Sequence, residues 1–204
     1  MRRIILLTGE AEAPVLAGIL RAADATIAID AALTAADLDR LVATSAGASR
    51  LVSFCSSVIV PAVTLAAFGA GAYNFHPGPP EYPGRFPSVF ALYDGAARFG
   101  ITVHEMTAVV DAGPIVAAEW FDIPPGCGLQ YLEELTFMAV ADKFRALALP
   151  LVRLDRPLMR LPYRWSGRKT RKTDVDDLCR ITPDLTEDEI ARRKRACGGF
   201  LAAE

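Results

Sequence analysis

The chain has 204 residues, of which 52% are hydrophobic and 23% charged, so its composition predicts a packed globular core and excludes an intrinsically disordered protein. The net charge of −2 excludes a strongly basic nucleic-acid-binding protein, and we expect no nucleic-acid partner. Residues 1–152 hold 9 basic and 15 acidic side chains, whereas residues 153–204 hold 13 and 9. We therefore expect a main domain over 1–152 and a basic C-terminal extension over 153–204.

The sequence also predicts a cytoplasmic protein without a membrane partner. No apolar stretch approaches the roughly 18 residues of a membrane span, and the apolar run near the N-terminus is too short for a signal peptide. None of the four cysteines has CxxC spacing, and no histidine lies near enough to complete a zinc site. We expect four reduced thiols and no metal.

Strands and helices alternate over the first 75 residues. Short apolar and β-branched runs predict strands, and apolar residues at helical spacing predict helices between them. This alternation predicts an α/β fold that is Rossmann-like, with a mostly parallel twisted sheet and helices on both faces. The predicted strands cover residues 3–8, 26–29, 50–54 and 71–75, and the predicted helices cover 11–23, 34–44 and a short segment after Pro61.

The pattern changes after residue 75. Five prolines and two glycines between residues 76 and 87 predict a loop. Beyond this loop the sequence predicts two further strands and three further helices, the last with a capping box at its start. The predicted strands are 101–106 and 114–121, and the predicted helices are 88–99, 128–153 and a late helix from Thr186 to the glycines 198 and 199.

The first candidate site lies where the fourth predicted strand ends, since ligands bind beyond the carboxyl ends of strands in open α/β sheets. Strand alternation points Asn74 and His76 to the same side. An amide and an imidazole side by side suit the oxyanion that develops on a carbonyl carbon. A hydrogen-bonded strand end would explain the same two residues without catalysis.

A second candidate segment contains the other histidine of the chain. His104 lies in a predicted strand, and Asp111 follows seven residues later, before Ala112-Gly113. An aspartate at such a place can simply close a turn, so the segment alone does not indicate catalysis.

Taken together, the two segments form a specific pattern. The sequence resembles the formyltransferases that use 10-formyltetrahydrofolate, a group that includes the glycinamide ribonucleotide, methionyl-tRNA and sugar-nucleotide N-formyltransferases. The resemblance covers roughly residues 1–150. The residues that carry it are Asn74-Phe75-His76-Pro77, Glu81-Tyr82-Pro83-Gly84, Gly100-Ile101-Thr102-Val103-His104 and Asp111-Ala112-Gly113-Pro114-Ile115.

The resemblance implies roles for individual residues. Asn74 and a protonated His76 would stabilise the oxyanion, and Asp111 would hold His76 in its charged form or relay the proton of the attacking amine. The folate, as formyl donor in one-carbon metabolism, would contact backbone on two sides of its pocket, at Ser57, Val58 and Ile59 and at Met106, Thr107 and Val110. The residues expected to line the pocket or to support the acceptor side are Thr102, His104, Gly78 and Tyr82.

The loop after His76 departs from the family pattern, so the resemblance does not identify the formyl acceptor. The family loop runs His-Pro-Ser-Leu-Leu-Pro-x-Tyr, whereas this chain has the shorter His76-Pro77-Gly78-Pro79-Pro80-Glu81-Tyr82. We expect a small amine, such as a phosphorylated, nucleotide-linked amino sugar. The altered loop leaves open a formyltetrahydrofolate hydrolase or a formyl-decomposing enzyme, in which water replaces the amine, and a folate-binding module without turnover is a third hypothesis.

The basic C-terminal extension has two interpretations. It can be a solvated segment that packs back on the body. It can also bind the anionic part of a phosphorylated acceptor. Formation of a homodimer through this segment is equally compatible with the sequence. The anion-binding candidates are Arg164, Arg168, Lys169, Arg171 and Lys172, with Tyr163 and Trp165 as stacking partners for a base or sugar.

Overall fold

A computed structural model describes residues 2–44, 49–166 and 168–203. It confirms the α/β, Rossmann-like fold, because six strands form one mostly parallel sheet between helices. The elements of the main body are β1 (Arg3–Leu7), α1 (Glu12–Ala23), β2 (Ala28–Ala32), α2 (Ala35–Ala43), β3 (Ser49–Phe54), α3 (Ala62–Leu65), β4 (Ala72–His76), α4 (Pro87–Asp94), β5 (Arg98–Glu105), β6 (Ile115–Asp122) and α5 (Leu129–Val152).

The strand order in the sheet is β2-β1-β3-β4-β5-β6. The strands β1 to β4 are parallel, whereas β5 pairs antiparallel with β4 and β6 pairs antiparallel with β5. In this register Asn74 is opposite His104 and His76 is opposite Thr102. Neighbouring strands lie about 5 Å apart, so the register alone brings these polar side chains together on one face of the sheet.

Apolar side chains cover the two faces of the sheet unequally. On one face, α1 and α5 pack against alternate strand residues that include Phe75 and Val103. On the other face, α2 packs against Ile5, Leu7 and Leu51. The segments over β4 and β5 on this second face are loops, and they leave room for a cleft.

One predicted helix is longer than the helix in the structure. The sequence predicted a helix over 88–99, but α4 ends at Asp94, because Gly95 adopts the left-handed conformation with a φ of 69°. Glycine tolerates this conformation without steric cost and commonly ends helices. The next residues then extend, and β5 begins at Arg98, three residues before the predicted strand.

The C-terminal segment packs back onto the body and contains a helix that the sequence analysis did not predict. The segment comprises α6 (Lys172–Leu178), β7 (Arg180–Ile181), α7 (Glu187–Cys197) and β8 (Ala202–Ala203), with β7 and β8 paired in parallel. The helix α7 lies against α4, where Arg192 stacks on Tyr93 at 3.9 Å from the ring centroid. No apolar periodicity marks the seven residues of α6, so only the tertiary structure reveals it.

The expectation of four reduced thiols is wrong for two of them. Cys179 and Cys197 form a disulfide that links the end of α6 to the end of α7. Cys55 and Cys127 are free, as expected. The two bonded cysteines are 18 residues apart, a spacing that matches no metal-binding pattern and reveals no pairing by itself.

Within the described ranges, none of the helices is both long and apolar enough to cross a membrane.

Candidate active site

The two candidate segments of the sequence meet on the open face of the sheet. Asn74 and His104 are cross-strand neighbours, and the Asn74 amide nitrogen Nδ2 lies 3.2 Å from the His104 ring nitrogen Nε2. His76 is two residues further along β4, and its side chain points to the same face, as strand alternation predicted. The described chain has no other asparagine or histidine.

Asp111 turns back over this face from the loop that joins β5 to β6. It adopts a left-handed conformation with a φ of 46°, which aspartate tolerates better than most residues. Its carboxylate is buried and accepts a hydrogen bond from the Gly84 amide at 2.8 Å. Its oxygens lie 3.2 Å from His104 Nε2 and 3.6 Å from His76 Nδ1. The carboxylate therefore joins both histidines to the Pro-rich loop.

These contacts keep Asp111 ionised. Burial alone would raise its pKa, but the hydrogen bonds with His104 and the Gly84 amide and the electrostatic interaction with the two imidazoles outweigh burial and lower the pKa of Asp111 to about 2. A carboxylate that stays charged inside a protein needs such donors, because an unpaired buried charge is costly. At neutral pH the site therefore holds a fixed negative charge.

The orientation of His76 follows from a backbone carbonyl. Its Nε2 lies 3.0 Å from the carbonyl oxygen of Tyr82, which can only accept, so Nε2 carries a proton. Burial lowers the pKa of His76, although the charge of Asp111 acts in the opposite direction. The structure thus disfavours the protonated His76 that we expected from the sequence, because desolvation outweighs the nearby carboxylate.

His104 contacts three polar neighbours. Its Nδ1 donates to the Glu105 carbonyl at 2.8 Å, and its Nε2 lies 3.2 Å from both the Asp111 carboxylate and the Asn74 amide nitrogen. His104 therefore connects Asn74 and Asp111 at the base of the site.

Gly78 and Tyr82 support His76 from the loop and do not line the cleft described below. A Cβ on Gly78 would lie 2.7 Å from His76 Nε2 and 2.7 Å from Pro87 Cβ, so only glycine fits. Thr102, also expected to line the pocket, is fully buried, and its hydroxyl donates to the Gly78 carbonyl at 2.8 Å. These residues hold the loop against the imidazole.

A cleft of about 470 Å³ opens beside Asn74, His76, His104 and Asp111. This volume lies within the range of small-molecule sites. All six residues that we expected at the folate line it, on two opposite segments of chain. They are Ser57, Val58 and Ile59 from the segment after β3, and Met106, Thr107 and Val110 from the loop after β5.

The C-terminal extension forms one wall of the same cleft. Thr170 forms a β-bridge with Gly84, and its hydroxyl donates to the Arg85 carbonyl at 2.7 Å. Lys169 donates to the Val110 carbonyl, and Arg171 and Lys172 also line the wall. Arg168 pairs with Asp174 and, like Arg164, is not among the lining residues. The extension therefore packs on the body and also contributes cations to the cleft.

Trp165 has contacts that the sequence analysis did not predict. We expected it to stack on a ligand, but its ring packs against both histidines, with centroid distances of 5.0 Å to His104 and 5.6 Å to His76. Tyr163 packs against Trp120 at 5.3 Å, away from the histidines.

Among the described residues, no group of three or more His, Cys, Asp or Glu side chains is arranged to hold a metal ion.

The chain is similar to known proteins in sequence and in fold. The sequence model of the formyl transferase family matches residues 20–136, which is more than half of the chain. A methionyl-tRNA formyltransferase from Thermotoga sp. (strain RQ2) is 39% identical over 56 residues, which are 27% of this chain and 18% of that protein. The matched segment thus spans less than a fifth of that relative.

Solved structures share the fold over nearly the whole chain. A sugar N-formyltransferase from Shewanella sp. FDAARGOS_354 has a TM-score of 0.78 at 20% identity, over 96% of this chain and 88% of that chain. An N-formyltransferase from Helicobacter canadensis, in complex with folinic acid and dTDP-3-aminofucose, has a TM-score of 0.74 at 15% identity, over 97% and 81% of the two chains. At these identities the similarity establishes the common fold.

Proposed function

Because the chain belongs to the formyl transferase family, we propose that it transfers a formyl group from 10-formyltetrahydrofolate to the amine of a small phosphorylated acceptor, such as a nucleotide-linked amino sugar. The observation that carries this proposal is the cluster of Asn74, His76 and Asp111, which lines a cleft of about 470 Å³. The cluster combines an amide donor, an imidazole and a fixed carboxylate, which are the groups that acyl transfer to an amine requires.

The folate supplies the formyl group, and the cleft residues supply binding and proton transfer. The Asn74 amide has two N–H groups and donates one to the oxygen of the formyl group as negative charge develops there. His76, neutral because of its burial, accepts the proton that the attacking amine loses through its Nδ1, which faces Asp111 at 3.6 Å. The charge of Asp111 stabilises the imidazolium that results.

The atoms balance without a metal or a redox partner. The bond between the formyl carbon and the folate nitrogen breaks, and a bond between the same carbon and the acceptor nitrogen forms. The acceptor amine loses one proton, and the folate nitrogen gains one. His76 carries this proton from the acceptor amine to the folate nitrogen while Asp111 stays ionised, so the enzyme returns to its starting state after each turnover.

The walls of the cleft fit a folate. Val58 and Ile59 line the cleft from one segment and Met106 and Val110 from another, so the faces of a flat ring system can pack between their apolar side chains. A structural neighbour contains folinic acid, a folate derivative, which supports the same ligand class for this cleft. We propose 10-formyltetrahydrofolate itself as the donor.

The acceptor side of the cleft is cationic. Arg85, Lys169, Arg171 and Lys172 line it, and Asp111 is the single acidic residue among the described lining residues. Such an excess of positive charge favours a phosphorylated acceptor. The same neighbour contains dTDP-3-aminofucose, which supports a nucleotide-linked amino sugar over water as the acceptor. The cytoplasmic location, the role in one-carbon metabolism and the homodimer stay predictions.

The test uses the purified full chain with 10-formyltetrahydrofolate and a panel of nucleotide-linked 3-amino and 4-amino sugars. Release of tetrahydrofolate is followed by absorbance, and formylated sugar is detected by mass spectrometry. We expect release that requires the amine and one formylated product for each folate released. Asp111→Asn should reduce the rate about 10²-fold or more, whereas Asp122→Asn, at an exposed ion pair with Arg98, should leave it unchanged.

The acceptor side is tested separately with Lys169→Met. We expect a higher KM for the phosphorylated acceptor with little change in kcat, because Lys169 lies on the cleft wall outside the cluster. Lys194→Met, at an exposed position of α7, is the matched control. Steady release of tetrahydrofolate without any amine would instead indicate a hydrolase, and tight folate binding without turnover on the whole panel would indicate a binding module.

A further inference from the structure

We propose that Trp165 of the C-terminal extension is a positioning residue, which holds His76, His104 and Asp111 in the arrangement that formyl transfer needs. The role in the reaction rests on the proposed function, but the positioning itself can be measured without turnover. The proposal assigns a task at the reaction centre to a residue outside the stretch that matches the formyl transferase family.

Trp165 contacts both imidazoles at once. Its ring stands nearly perpendicular to that of His104, with an interplanar angle of 86°, and at 71° to that of His76. Both histidines are almost fully buried, at 2% and 4% exposure. The indole is therefore the large apolar group that keeps water from the two rings on this side.

Trp165 also holds the loop that carries Asp111. Its indole N–H donates to the Gly113 carbonyl at 2.9 Å, two residues after Asp111. This loop has little room to move, because a Cβ on Gly113 would lie 1.9 Å from the Glu105 carbonyl oxygen. One side chain thus packs on the two imidazoles and binds the backbone next to the carboxylate that joins them.

The extension is anchored on both sides of Trp165. The Leu161 amide donates to the Ile115 carbonyl at 2.8 Å, and the Ser166 amide donates to the Pro80 carbonyl at 2.9 Å. Thr170 then pairs with Gly84, whose amide binds Asp111. The extension therefore contacts first the segment around β6 and the Asp111 loop and then the Pro-rich loop after His76, so it connects the two parts of the site.

Replacement of a tryptophan that only packs in the core would change only the stability of the protein. Replacement of a positioning tryptophan must also change the titration of His76 and the rate of catalysis. The titratable groups that face His76 are Asp111 and His104, and the Glu105 side chain is turned away to Arg160 at 2.7 Å. Because burial lowers the pKa of His76, water admitted beside it should raise that pKa towards its ordinary value.

The experiment compares Trp165→Leu and Trp165→Phe with Trp120→Phe. Trp120 is the matched control, because it also donates an indole hydrogen bond, to Glu81 at 3.2 Å, and packs on an aromatic ring, but it lies outside the cluster. The chain has only two histidines, so NMR of a sample labelled at histidine reports on these two imidazoles alone. The titration of both is followed against pH, and kcat and KM are measured with the acceptor that the wild type uses.

For Trp165→Leu we expect the His76 titration to move to higher pH and kcat to fall about 10-fold or more, with KM for the folate little changed. Trp165→Phe keeps a ring but loses the N–H, and kcat should fall about 5-fold. Trp120→Phe should match the wild type. A His76 titration and a kcat that equal those of the wild type in both Trp165 variants would overturn the proposal.

Two further outcomes are also decisive. If Trp165→Leu does not fold, the proposal is tested with Trp165→Phe, by its His76 titration and its kcat. If the wild type transfers no formyl group to any amine, the proposed function fails, but the histidine titrations still test the positioning. A shifted His76 titration without any turnover would support a packed cluster that serves another reaction.

Discussion

Replacing Gly78 by alanine should disturb the catalytic cluster through a single methyl group. The added Cβ would lie 2.7 Å from His76 Nε2, 2.7 Å from Pro87 Cβ and 2.9 Å from Pro87 Cγ, where ordinary contacts are 3.4–4 Å. His76 cannot easily give way, because it is buried and its Nε2 is held by the Tyr82 carbonyl at 3.0 Å. Pro87 is the rigid first residue of α4.

The size of the effect follows from these contacts. Overpacking of one methyl group in a tight interior costs about 1–3 kcal/mol, and loss of the His76 hydrogen bond accounts for about 1 kcal/mol of that range. For a chain of this length, about 2 kcal/mol corresponds to a decrease in Tm of roughly 4–8 °C. A displacement of His76 by somewhat less than 1 Å should reduce kcat roughly 10- to 100-fold.

The assay combines thermal unfolding, formyl transfer and the NMR signal of His76. Gly18→Ala is the matched control, since Gly18 lies on the exposed side of α1 and a Cβ there would meet nothing within 4 Å. This control should raise stability by about 0.5–1 kcal/mol without changing the rate, because alanine is the better helix former. A Gly78→Ala protein with wild-type Tm, His76 signal and kcat would refute the reasoning.

Three further predictions concern the residues around the site. Asp111→Asn should lower the free energy of unfolding, measured with urea, by about 2 kcal/mol above pH 4, because the pKa of Asp111 is lowered to about 2 in the folded chain. This difference between the variant and the wild type should vanish as the pH falls towards 2. Thr102→Val should cost about 1–3 kcal/mol, measured in the same way, since it leaves the Gly78 carbonyl without its buried donor. Cys179→Ala should lower the Tm of oxidised protein to that of wild type with reductant, a loss of about 3 kcal/mol for a loop of 18 residues, and its own Tm should not respond to reductant. Cys127→Ala keeps the disulfide, so its Tm should respond to reductant as that of the wild type does.

Local patterns of the sequence were sufficient to predict the sheet and the strand that carries part of the site. The alternation of strands and helices predicted the sheet, and strand alternation placed Asn74 and His76 on one face with Phe75 on the other. Both inferences depend on periodicity within a few residues, which the backbone imposes directly. The spacing from His104 to Asp111, with its resemblance to formyltransferases, predicted the remaining members of the cluster.

Other features arise from contacts between residues far apart in the chain. Trp165 lies 61 residues after His104 and 89 after His76, and no local pattern relates its ring to theirs. The Tyr82 carbonyl orients His76 only because Gly78 lets the loop approach, and burial then disfavours the charged imidazole that the residue type alone suggested. The short α6 and its disulfide to α7 depend on packing in the same way.

The sequence by itself therefore determined the fold class, the strand that presents Asn74 and His76, and the family to which the paired motifs belong. The tertiary structure alone decided how the Asp111 carboxylate joins two histidines, which nitrogen of His76 carries the proton, and that the basic extension completes the cleft. The physical reason is that periodicity and turn chemistry act over a few residues, whereas desolvation and hydrogen bonding depend on whichever distant segments the fold brings together.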